Sequence, residues 1–158
     1  MALLGTIKTP IGLLAINTAQ GKLIGVDILP NNSRKVPRTD SQPLATNVKE
    51  QLFQYFSDGN FQFHLPLNIQ GTDFQKRVWK IMTKIPAGKV MTYGAVAKKL
   101  SSSPRAGGNA CRANPLPIII PCHRIVSQTG LGGYEGQTSG ERLGIKSWLL
   151  QHEGVAVE

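Results

Sequence analysis

Pro121-Cys122-His123-Arg124 places a thiol beside an imidazole, directly after the apolar triplet Ile118-Ile119-Ile120. A cysteine is a weak nucleophile until it is ionised. A nearby histidine, itself oriented by a third group, is the usual way of making the thiolate at neutral pH. The triplet reads as a buried strand, so Cys122 would sit at a strand end, where a reactive cysteine is built. A packed core cysteine beside a capping histidine has the same local composition. The pair alone leaves both readings open.

The elements around it can be read from periodicity and punctuation. Residues 3–8, 11–18 and 23–29 read as three strands joined by turns at Thr9-Pro10 and Gln20-Gly21, which predicts an antiparallel sheet. Residues 30–43, with three prolines, read as an exposed loop. Val48, Leu52, Tyr55 and Phe56 recur at helical spacing and predict an amphipathic helix over 44–56 that packs on the sheet. Residues 61–67 read as a further extended piece and 68–71 as a linker, giving two domains, 1–70 and 71–158.

From Thr72 the pattern turns helical. Phe74, Val78, Trp79 and Met82 form one apolar face, with Asp73 in the first turn and Pro86-Ala87-Gly88 closing the helix. Thr92 can cap a helix through Leu100; Ser101-Ser102-Ser103 is a turn; Pro104 suits the first position of a second helix through Ala113. This is the length and punctuation of a helix-turn-helix. The second helix has little bulk, since Ala106, Gly107, Gly108, Ala110 and Ala113 are all small. Small residues permit close approach either to another helix of the protein or to a narrow groove of DNA.

Composition narrows the class. The chain has 158 residues, 41% hydrophobic and 17% charged, as in a folded soluble protein. Its net charge of +9 is uneven: residues 1–70 hold six Lys/Arg against four Asp/Glu, residues 71–158 twelve against five. A basic second half suits a polyanion partner. Two cysteines, Cys111 and Cys122, make no disulfide framework and no closed zinc site, so no metal is expected. The N-terminal segment is too soon interrupted by Lys8 and Pro10 for a signal or membrane span. A reducing, cytoplasmic setting is the expectation.

In chain order the sequence carries Thr92-Tyr93-Gly94, Ser103-Pro104-Arg105-Ala106, Asn114-Pro115, Pro121-Cys122-His123-Arg124-Ile125 and Leu149-Leu150-Gln151-His152-Glu153-Gly154. This set resembles the O6-alkylguanine-DNA alkyltransferases, the methylated-DNA-protein-cysteine methyltransferases, over about residues 72–154. The resemblance implies an α/β (α+β) protein. Its N-terminal domain would be a ribonuclease H-like sheet and helix, and its C-terminal domain winged-helix-like with the helix-turn-helix. It also implies DNA repair by direct reversal: a single-turnover transfer of the alkyl group from O6-alkylguanine, or O4-methylthymine, to Cys122.

Residue by residue, the resemblance implies that His123 takes the thiol proton through a water, Glu153 orients His123, and Tyr93 presses on a phosphate and donates toward the departing guanine. Arg105 fills the space left by the flipped base, on a helix whose Ala106 and Ala110 meet the minor groove. Gly133, Tyr134 and Glu135 line the base pocket, with Cys111 as a wall. Family members often carry Ser at the place of Glu135, and residues 137–142 form a longer stretch than usual. Asn114 and Arg124 are implied as structural ties, and no cofactor is implied. The partner implied is double-stranded alkylated DNA, bound by a monomer with no obligate protein partner and no membrane. An alkyltransferase-like reader of the lesion would lack the cysteine, and a cysteine hydrolase would need an oxyanion hole for which the sequence has no signal.

Overall fold

The computed structural model describes residues 2–30, 33–34, 43–134 and 140–157. The chain divides into two compact units, residues 1–70 and 71–158.

In the first unit, β1 (Ala2–Thr9), β2 (Gly12–Ala19) and β3 (Lys22–Ile28) form an antiparallel meander in the order β1-β2-β3. Strand β3 shows why the segment is a half-buried strand: Leu23, Val26 and Ile28 are buried while Lys22 and Asp27 are exposed. Helix α1 (Pro43–Ser57) buries Val48, Leu52 and Tyr55, the stripe anticipated from spacing. Residues 61–67, read as a further extended piece, join the sheet only through a bridge from Leu67 to Leu23. The reason is local. The Gln51 side chain takes both backbone groups of His64, donating to its carbonyl at 2.9 Å and accepting from its N–H at 2.8 Å. A side chain thus satisfies the backbone that a neighbouring strand would otherwise pair.

In the second unit, helix α2 (Asp73–Thr83) opens with a capping box: Thr72 accepts from the Gln75 N–H, and the Gln75 side chain accepts from the Thr72 N–H. Val78, Trp79 and Met82 are its buried face. Strand β4 (Met91–Thr92) leads into α3 (Tyr93–Lys99), where the Thr92 hydroxyl accepts from the Ala95 N–H. Ser101 turns the chain at φ 52°, and Ser103 caps α4 (Pro104–Arg112), with Pro104 in the first turn. The helix-turn-helix read from punctuation is therefore present. The β5 strand (Ile125–Val126) pairs in parallel with β4, and α5 (Glu141–His152) ends at Glu153.

Residues 118–120 are not a strand. They form a turn, with Ile118 at φ 77° and Ile118 and Ile120 buried. Pro115, Pro117 and Pro121 deprive this stretch of ladder donors, and Asn114 supplies the bonds a ladder would have made. Its Nδ2 donates to the Ile120 carbonyl at 2.8 Å, and its Oδ1 accepts from the Leu116 N–H at 2.9 Å. A β-branched residue at positive φ is strained by about 1–3 kcal/mol. Here the strain lies four residues before the thiol.

Candidate active site

Cys122 opens a short 3-10 turn, Cys122–Arg124, and its own N–H donates to the Ile120 carbonyl at 2.8 Å. The turn puts three functional side chains in a row inside the unit: Cys122, His123 and Arg124 are all buried. The C-terminal end of α5 then brings Glu153 to them. One carboxylate oxygen, Oε2, lies 2.7 Å from His123 Nε2, and the other, Oε1, accepts from Arg124 Nε at 2.8 Å. Arg124 Nη1 also donates to the Ile85 carbonyl at 2.6 Å, so the guanidinium has both kinds of partner that a structural tie requires.

The protonation states follow from this geometry. Burial alone would raise the Glu153 carboxyl, but the hydrogen bonds and charges of His123 and Arg124 outweigh it and hold the group at about 2. Glu153 is therefore ionised and only accepts, which assigns the His123 proton to Nε2. Burial pushes the His123 imidazole below its ordinary value, against the pull of the Glu153 hydrogen bond and charge; Arg124 and Lys146 add to the lowering. A neutral ring with its proton on Nε2 leaves Nδ1 as a base. Among the described residues no polar atom reaches Nδ1.

Tyr93, the first residue of α3, is half-buried, and its hydroxyl donates to the Gly133 carbonyl over a long 3.5 Å. Burial first, then the nearby Cys111 and Cys122 thiols, push its phenol up to about 12. Cys111 is likewise pushed up to about 12 by burial, opposed by the Lys146 charge. A thiol held so high is a poor nucleophile at neutral pH. Gly132 needs to be glycine: its φ is 75°, and a Cβ there would stand 2.9 Å from the Tyr93 ring.

The sequence-derived site residues do not all fall where expected. Arg105 is exposed on the outer face of α4, with Asn109 and Arg112, whereas Ala106 is half-buried. Ala110, expected on the DNA face, instead points inward at 2% exposure, and its carbonyl accepts from Trp79 Nε1 at 2.8 Å. Three residues on from Gly107, it shares that residue's buried face. Tyr134 is buried, while Glu135 and residues 136–139 lie outside the described residues. Among the described residues no cluster of His, Cys, Asp or Glu could hold a metal ion, and no helix is long and apolar enough to cross a membrane.

Lys146 is the residue that sequence reasoning missed. It is fully buried between Ile145 and Leu149 on the inner face of α5. The available signal was a lysine inside the stripe Ile145, Leu149, Leu150, a place usually filled by an apolar side chain.

The profile of a family described as "6-O-methylguanine DNA methyltransferase, DNA binding domain" matches residues 73–155. A methylated-DNA–protein-cysteine methyltransferase of Saccharolobus islandicus is 36% identical over 160 aligned positions that cover 99% of both chains. The chain belongs to the methylated-DNA–protein-cysteine methyltransferase family. The enzyme of that name from Archaeoglobus fulgidus is 42% identical over 106 residues, 66% of this chain and 72% of that protein. The structure of Mycobacterium tuberculosis OGT in complex with DNA superposes with a TM-score of 0.78 at 35% identity, covering 94% of this chain and 90% of that one. The M. tuberculosis O6-methylguanine methyltransferase gives 0.80 at 31% identity, covering 96% and 93%. This methyltransferase accordingly performs direct-reversal DNA repair, moving an alkyl group from O6-alkylguanine to a cysteine of its own chain, and so is consumed by its reaction.

Proposed function

We propose that Cys122 is the acceptor cysteine and that Cys122, His123 and Glu153 act as a unit. The observation that carries this reading is the orientation of His123: its Nε2 proton is committed to the Glu153 carboxylate, and its Nδ1 is left as a buried base with no partner among the described residues. In the reaction Nδ1 takes the Cys122 proton, directly or through one water, and the charge that develops on the imidazole is stabilised by Glu153. The thiolate then attacks the alkyl carbon. A sulfur–carbon bond forms, the carbon–O6 bond breaks, and the electron pair leaves with guanine. Tyr93 supplies a proton toward the departing base, and its phenol, pushed up to about 12, still carries that proton at neutral pH.

Duplex substrate requires the base to leave the stack, at roughly a few kcal/mol. Exposed Arg105 at the start of α4 fills the vacated place, and residues 71–158 bear both DNA contact and chemistry while residues 1–70 support them. Gly133 and Tyr134 line the base pocket, and Cys111 is part of its wall. The protein works as a monomer in a reducing compartment that keeps Cys122 a thiol.

Intact mass after incubation with a duplex containing one O6-methylguanine, followed by peptide mapping, tests this. One methyl per protein, on Cys122 and absent from Cys122→Ala, is the expected result. Methyl on another residue, or tight binding with no mass gain, would sink it.

A further inference from the structure

The first unit carries a groove that the alkyl-transfer chemistry does not use. It lies between the end of β1, with the turn after it, and one face of α1; it holds about 490 Å³, and every residue lining it falls between Ile7 and Ser57. Lys49, Leu52, Phe53 and Phe56 recur at helical spacing and share that face of α1, while Ile7 and Pro10 close the other side. A concave, mainly apolar site of roughly 300–1,000 Å³ with a few polar groups is the usual form of a small-molecule pocket.

Phe53 is 73% exposed, and the other exposed large hydrophobic side chain among the described residues is Val90, in the second unit. In the first unit, then, a single exposed ring stands over a groove. That is not the broad apolar patch on which a protein partner docks. Nor is it the row of aromatic rings on which successive bases of a single strand stack.

Charge selects the ligand. Lys8 and Lys49 line the groove, one from each side, and both are exposed. No carboxylate lines it, and among the described residues no ion pair occupies either ammonium. The Thr9 hydroxyl is already committed, donating to the Gly12 carbonyl at 2.7 Å and accepting from the Ile11 N–H at 3.2 Å. The two ammoniums and the exposed Ser57 hydroxyl are the polar groups left to orient a ligand.

We propose that this groove binds a small amphipathic anion, an apolar body bearing one acidic group: the body lies against Phe53 and Phe56, and the acidic group sits at Lys8 and Lys49. The site rests on residues 7–57 alone, so it stands or falls separately from the reading of Cys122.

Decanoate is the probe, titrated into the isotope-labelled full chain and followed by backbone amide shifts. Saturable shifts confined to residues 7–10 and 49–57 are expected. Decan-1-ol, with the same chain and no charge, should bind at least about threefold more weakly, the scale of two solvent-exposed ion pairs. Lys8→Glu combined with Lys49→Glu should weaken decanoate by at least as much and leave decanol unchanged. Phe53→Ser should weaken both about tenfold, because the ring's contact with the apolar body is lost. All three positions are exposed, so the variants should keep the native melting temperature and the rate of alkyl transfer from duplex DNA. Absence of a saturable shift overturns the proposal, as do shifts scattered over both units. Equal binding of decanoate and decanol overturns the assignment of an anion. The same shifts produced more tightly by a single-stranded oligonucleotide would make the groove a nucleic-acid contact instead. Should a variant lose its fold, the comparison of the two probes in the unaltered protein decides.

Discussion

Residues 1–70 and residues 71–158 both bury polar side chains, but of different kinds. Among the described residues, the buried polar ones of the first unit are Thr6, Thr18 and Gln51, all neutral, and Gln51 spends its amide on the backbone of His64. In the second they are Asn114, His123, Arg124, Lys146 and Glu153, four of them ionisable, grouped around Cys122. Burying a charge costs far more than burying a paired amide, and a folded chain tolerates it only where partners are supplied. A hydrophobic core of the same volume would be at least as stable. The stability of the second unit therefore depends on the pairing being complete.

The sharpest way to break this contrast is to unpair one charge. Glu153→Gln leaves Arg124 buried without its carboxylate and should cost about 3 kcal/mol in urea unfolding, along with most of the alkyl transfer. Gln51→Leu removes neutral partners alone, those of the His64 backbone groups and of Asn47 Oδ1, should cost about 1–3 kcal/mol, and should leave transfer by the folded protein intact. Similar losses of activity in the two variants would erase the distinction.

The same contrast has a pH signature. His123, held neutral by burial, protonates on unfolding, so its contribution is present above its ordinary 6.5 and declines as pH falls below it. Glu153 contributes fully above its ordinary 4.5 and loses that contribution as pH falls toward about 2. Thermal melts from neutral to acid pH should show both slopes in the native protein, and Glu153→Gln should flatten the lower one.

Smaller effects sharpen the division within the second unit. Arg105→Ala should lower the repair rate on duplex DNA by about 10- to 100-fold, matching the few kcal/mol of unstacking that the side chain would offset. Its reaction with free O6-benzylguanine should be unchanged, and an equal loss on both substrates would remove the flipping role. Trp79→Phe deletes the bond that ties α2 to the Ala110 carbonyl and should cost about 1 kcal/mol. DNA affinity would fall slightly with it, and a loss confined to affinity would give Trp79 a direct role on α4.

Much of this architecture was legible in the chain because it depends on local chemistry. Thr72, Thr92 and Ser103 announce helix starts by bonding N–H groups two or three residues on, and Pro104 suits a first turn. The stripe of Val48, Leu52 and Tyr55 needs only a period of 3.6. Periodicity failed at residues 118–120, where three isoleucines have strand composition but the Asn114 side chain bends the backbone into a turn. At Ala110 it was the resemblance that pointed to the DNA face, and the residue lies inward because the direction in which a thin helix faces is set by what packs on it.

By itself the sequence determined the residue types of the chemistry, the family they resemble and the order of the elements, since caps, turns and motifs act within a few residues. The resemblance already pointed to Glu153 as the group that orients His123; only the tertiary structure decided that its carboxylate, thirty residues away in the chain, lies 2.7 Å from His123 Nε2, and that Lys146 is buried against three carbonyls. Both outcomes depend on where α5 lies against the Cys122–Arg124 turn. That placement fixes which charges lose water and which partners replace it, and no local pattern encodes either.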